Sequence, residues 1–199
     1  MSKRQKLTLA IVAGFIGIGG GVYLAARLLI PTAYIPPVFS EARINGAGFA
    51  KNIVSLLEES VRHLQEIAAF DREGNAPEAL TLISQEVIKN RNIQQEAIKL
   101  SSELEKMARA IPEVRPDSAR FAATEALSSE IALVSHLLNY TAALRELFDV
   151  LRSKLNRTTA TEEQVRSLIA GINREAEAIN DLNQKFNNAL QELDNAILK

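Results

Sequence analysis

From Leu7 to Ala26 the chain carries no charged side chain (LTLAIVAGFIGIGGGVYLAA), and this run constrains everything else it can become. Twenty helical residues rise about 30 Å, the hydrocarbon thickness of a bilayer. Lys3, Arg4 and Lys6 precede the run, and Arg27 follows it with a stem long enough to reach back to the headgroups. Tyr23 and Tyr34 suit the interfacial zone, and Pro31, Pro36 and Pro37 end any helix. Two other readings compete. A buried helix of a soluble domain is rarely apolar on every face over such a length. A cleaved signal peptide wants small residues at −3 and −1, but cutting after Ala26 or Ala25 puts Leu24 or Tyr23 at −3. The expected organisation is a basic tip at 1–6, a single transmembrane anchor at 7–30, a Pro-rich neck at 31–39 and a helical domain at 40–199.

The net charge of −1 conceals an asymmetry. All 24 acidic residues lie at or after Glu41, together with 19 of the 23 basic ones, so that part carries 19 − 24 = −5. An acidic body argues against nucleic acid as a partner, since nucleic-acid recognition needs a basic patch. The basic tip favours an N-terminus inside the cytoplasm and a body outside it. The absence of cysteine excludes disulfides, thiolate metal sites and a cysteine nucleophile.

Five of the nine glycines fall inside the anchor. Ala13, Gly17, Gly21 and Ala25 recur every four residues and form a ridge of small side chains. Such a ridge lets two helix backbones approach closely, and close packing is a main source of helix association in lipid. The sequence therefore predicts self-association through the anchor, with the bilayer as the other partner; the alternative is a chance run of residues common in membrane helices.

Beyond the neck the pattern is helical to the end. Breakers fall at Asp71–Asn75, Ile111–Pro116 and Asn156–Thr161, which predicts helices over 40–70, 76–111, 117–156 and 161–198, with a candidate break at Asn45–Gly46. Asn75, Asp117 or Ser118, and Thr161 are the candidate N-caps, the last forming a capping-box pattern with Gln164. Each helix bears an apolar stripe at 3-4 spacing. The third reads through Leu127, Ile131, Val134, Leu138, Leu144 and Phe148, and the fourth through Ile172, Glu175, Ile179, Leu182, Phe186 and Leu193, which places Phe148 and Phe186 deep in the core. Short loops between long helices predict an all-α, up-down-up-down antiparallel four-helix bundle with coiled-coil-like packing. The alternative is a three-helix bundle with the first helix as a stalk.

Polar residues interrupt the stripes at Ser60, His63, Glu86, Asn90, Thr141 and Glu175. Hairpin pairing would bring them to one height as a candidate polar layer, read either as a ligand or ion site or as register-fixing and surface-splayed groups. His63 and His136 begin or end no metal motif, and no nucleophile elbow, phosphate loop or dinucleotide fingerprint occurs. The expectation is no enzyme, no catalytic residue, no metal and no cofactor. Four-helix ectodomains behind an anchor resemble bacterial receptor ligand-binding domains in architecture, with no motif behind the likeness.

The expected function is a non-catalytic, membrane-anchored interaction module, an extracytoplasmic scaffold or complex subunit with an unidentified protein partner. The alternative is an accessory ligand-binding or sensing ectodomain that uses the polar layer. Gly17→Leu or Gly21→Leu should weaken association of the anchor by holding the backbones apart. A reporter of anchor association checks this, and parent-like signals from both variants would remove the ridge's role.

Overall fold

The computed structural model describes residues 33–156 and 161–198. It is all-helical, with four long helices packed against one another. They are α1 (Pro37–Glu73), α2 (Ala76–Ala110), α3 (Asp117–Leu155) and α4 (Glu162–Ile197). At 35 to 39 residues each, they run about 50–60 Å at 1.5 Å per residue.

Local chemistry sets the boundaries. Pro37 opens α1 at a position that needs no backbone donor, so the helix starts inside the stretch read as neck, and Phe39 and Ala42 are already buried. Gly74 ends α1 in the left-handed conformation at φ 73°, and the Asn75 N–H reaches back 2.9 Å to the Phe70 carbonyl. Pro77 lies in the first turn of α2, while Asn75 makes no side-chain cap. A short 3-10 turn, Ile111–Glu113, follows α2. Neither Asp117 nor Ser118 caps α3: Pro116 occupies the cap position, and Asp117 is already helical and pairs with Arg120 at 2.8 Å. Thr161 and Gln164 form the capping box of α4, with reciprocal bonds of 3.2 and 2.9 Å.

Cross-helix pairs fix directions. Asn52 meets Glu96 and His63 meets Glu86, so residue numbers rise on α1 as they fall on α2. Arg43, near the start of α1, pairs with Asp194, near the end of α4, at 3.1 Å. Asp71, at the end of α1, pairs with Lys154, at the end of α3, at 2.8 Å. The core runs the length of the molecule and draws on every helix.

Helix α1 belongs to this core. Ile53, Leu57, Val61, Leu64 and Ile67 are buried, so the three-helix alternative with a stalk does not describe the structure. Nor does α1 break at Asn45–Gly46. Gly46 is buried within the helix, and a Cβ there would lie 3.3 Å from Leu100 Cδ1, so the glycine serves close approach of α1 to α2. The start of α3 turns four small side chains, Ala119, Ala122, Ala123 and Ala126, into the core.

Two stripes are shifted from their expected course. On α3, Ile131 and Leu138 are exposed, and Glu130 and Leu137 are buried in their stead. On α4, the buried line passes through Ile172, Ala176 and Ile179, leaving Glu175 at the rim. Phe148 is fully buried, but Phe186 is only partly so. Phe148→Ala should therefore cost about 3–5 kcal/mol, and Phe186→Ala clearly less. Urea midpoints of the two variants check the order, and equal losses would contradict the packing.

Candidate functional site

The strongest concentration of buried polarity lies between α1 and α2. Glu86 is wholly inaccessible. Its Oε1 lies 2.5 Å from His63 Nδ1 and accepts from Lys89 Nζ at 2.7 Å. Lys89 also reaches Glu59 at 3.1 Å, and the Lys89 bond is the main reason the Glu59 carboxyl sits below the usual carboxylate range. Two carboxylates thus share one ammonium, and the His63 imidazole lies against both, at 2.5 Å from Glu86 and 3.9 Å from Glu59. Helical spacing assembles the group: Glu86 and Lys89 are three residues apart on α2, and Glu59 and His63 four apart on α1. Ser60 is buried on the same stretch of α1.

One turn further along α2, buried Asn90 donates from Nδ2 to the Thr141 carbonyl at 2.7 Å, tying α2 to α3. The Thr141 hydroxyl is used locally, donating to the Leu138 carbonyl at 2.9 Å. Glu86 Oε2 and Asn90 Oδ1 are both buried without a hydrogen-bond partner among the described residues. A buried acceptor left in that state typically costs about 1–3 kcal/mol.

The residues read from the sequence as one layer fall into three groups. His63 and Glu86 join Glu59 and Lys89, with Ser60 on the same α1 turn. Asn90 and Thr141 link α2 to α3. Glu175 pairs with His136 at 2.7 Å between α3 and α4, with both side chains partly exposed, so it does not face the core as its register alone suggested. The ridge residues Ala13, Gly17, Gly21 and Ala25, and the whole of 7–30, lie outside the described residues. Among the described residues no helix is long and apolar enough to cross a membrane, and no group of three or more His, Asp or Glu is arranged to hold a metal ion.

Sequence reasoning missed Lys89, which compensates Glu86, and two further buried carboxyls. Glu103 pairs with Lys106 at 2.7 Å through one oxygen, while the other is buried and unpartnered among the described residues. Glu130 lies in the core of α3, where burial pushes its carboxyl up to about 7; burial likewise raises the Tyr140 hydroxyl. A signal for Glu130 existed, because the run Leu127, Val134, Thr141, Phe148 repeats every seven residues and its companion line is Glu130, Leu137, Leu144, Leu151.

The Glu130 environment has a definite pH consequence. The folded carboxyl keeps its proton up to about 7, whereas an unfolded one releases it near 4.5. Stability from this group is therefore complete below the unfolded value and falls as pH rises through the window, by about 3 kcal/mol in all. Glu130→Gln should gain on the parent between pH 4.5 and 8 in urea titrations. A parent-to-variant difference that stays constant with pH would contradict this.

This chain matches no known protein family, no characterised protein and no solved structure.

Proposed function

We propose that the chain is a non-catalytic interaction module held at a membrane by residues 7–30, with its helical body outside the cytoplasm. The observation that carries this reading is the uncharged run Leu7–Ala26, joined by a few residues to a body whose apolar stripes are consumed by one another. A body that satisfies its own core needs no lipid to fold, so a preceding stretch of bilayer length is best explained as an anchor. The outer faces of the four helices are polar along most of their length, which suits an up-down-up-down bundle with coiled-coil-like seams serving as a scaffold or complex subunit. Close packing of the ridge Ala13, Gly17, Gly21 and Ala25 would pair two such anchors.

A second reading, an accessory that binds a small ligand between its helices, draws on Glu86 Oε2 and Asn90 Oδ1, two buried acceptors one turn apart without a partner among the described residues. A thermal shift with a small polar ligand, lost in Asn90→Leu, would favour it. Co-purification of a protein partner without such a shift would favour the scaffold.

Topology provides the direct test of the first reading. Protease added to spheroplasts should digest the body from residue 33 onward, while a reporter that works only inside the cytoplasm, fused after Lys199, stays inactive. A protected body with a cytoplasmically active reporter would reverse the orientation, and a chain that partitions wholly into the soluble fraction would remove the anchor.

A further inference from the structure

Nine large apolar side chains are exposed among the described residues, and their distribution is uneven. Tyr34, Val38, Ile44, Phe121 and Leu198 belong to one end of the molecule, where α1 and α3 begin and α4 finishes. The other four, Ile88, Ile98, Ile131 and Leu138, lie along the middle of α2 and α3. None lies at the far end, where α1 turns into α2 through Glu73, Gly74 and Asn75 and α3 closes at Lys154 and Asn156. Phe121, nearly two-thirds exposed, stands between two open hollows, one bordered by Pro116 and Ala196 and the other by Ile111 and Pro112.

This apolar end is also where residues 1–32 join the body. Tyr34 is pinned there by two backbone bonds with Arg115, from Tyr34 N–H to the Arg115 carbonyl at 3.1 Å and from Arg115 N–H to the Tyr34 carbonyl at 2.9 Å. Four residue steps separate Ile30, the last residue of the proposed anchor, from Tyr34. Even fully extended they span at most about 14 Å. The polar layer on each side of the hydrocarbon is about 5–8 Å thick, so with Ile30 at the hydrocarbon boundary a body tethered at Tyr34 stands within about 10 Å of the headgroups.

Resting on the anchor reading, we infer that this end of the bundle is a lipid-docking surface, with Tyr34, Val38, Phe121 and Leu198 inserted into the headgroup zone. The occupant is the bilayer that holds the chain's own anchor, because the short tether sets that bilayer directly against this end. The attraction is apolar and aromatic rather than ionic: segments 33–44, 109–121 and 192–198 carry four cations against five carboxylates. Arg120 is paired with Asp117 and Arg43 with Asp194, while the Arg115 guanidinium donates to the Pro112 carbonyl at 2.9 Å. Docking should therefore be as strong on phosphatidylcholine as on anionic lipid, unlike that of a polybasic surface.

The chain contains no cysteine, so single labels can be placed on the full-length protein. Gly17→Cys, Val38→Cys, Phe121→Cys and Glu73→Cys, each carrying an environment-sensitive fluorophore, are reconstituted in phosphatidylcholine nanodiscs with headgroup or mid-chain quencher lipids. The label at 17 should be quenched by the mid-chain lipid. Those at 38 and 121 should lose about half their signal or more to the headgroup quencher, given an insertion depth of roughly 5–10 Å, and the one at 73 should be unaffected. An unquenched label at 17 would overturn the anchor and the docking surface together. Quenching at 17 with labels at 38 and 121 as bright as that at 73 would overturn the docking surface alone. So would labels at 38 and 121 shielded from both iodide and quencher lipid, which would mark a protein covering that end, or quenching that appears only with anionic lipid.

Discussion

Helices of this length do not hold in water through local propensity; what keeps them is the side-by-side burial of a continuous apolar seam. On α2 the buried residues Ala79, Ile83, Glu86, Asn90, Ile93, Ala97, Leu100, Leu104 and Met107 follow one another at alternating steps of three and four without a lapse. That spacing keeps one face turned to the same neighbours over the full helix. The rest of the fold answers to this seam. Gly46 lets α1 approach it closely, and Asn90 pins α3 to it through the Thr141 carbonyl. Charged groups on the line must be neutralised where they stand.

Glu86 shows what that neutralisation requires. A lone carboxylate in such a place would be expensive, and removing its partner would leave an uncompensated buried charge. Lys89 provides a direct bond while lying at the edge of the interface, where its stem is covered and its ammonium still reaches Glu59. His63 closes the group from α1, so the cluster joins two helices instead of decorating one. Glu130 has no ion pair among the described contacts and meets burial differently, by holding its proton toward neutral pH. Two glutamates on similar seam positions thus meet the same constraint in two ways, one by pairing and one by protonation.

Most of the architecture was legible in the sequence. The helices expected at 76–111, 117–156 and 161–198 agree with α2, α3 and α4 to within a residue at each end, because Gly74, Pro112, Pro116 and the Thr161 capping box act locally. The faces were less legible. A seven-residue line such as Ile172, Ile179, Phe186, Leu193 fixes half of a seam, but the companion line can fall on either side of it. Side-chain identity and regular spacing favour Ile131 over Glu130 and Glu175 over Ala176, whereas the true side depends on where the neighbouring helix lies. The polar residues were identifiable as lapses in the pattern. Their sorting into separate clusters was not, because it depends on which atoms face one another across helices.

The contact between Tyr34 and Arg115 links this bundle to whatever precedes it. A tether fixed only at the first turn of α1 would let the body swing about a flexible joint. Two backbone hydrogen bonds instead bind the entering segment at Tyr34 to the α2–α3 turn, so the point of entry is held by two parts of the fold at once. Val114, fully buried beside that turn, seats it in the core. The neighbouring exposed apolar groups then lie on a surface whose orientation to the tether is set by the bundle itself. Under the proposed anchor, a short link of restricted reach and an apolar end facing the same way would serve one geometry, with the polar far end, at Glu73 and Asn156, some 50 Å along the bundle from the point of entry.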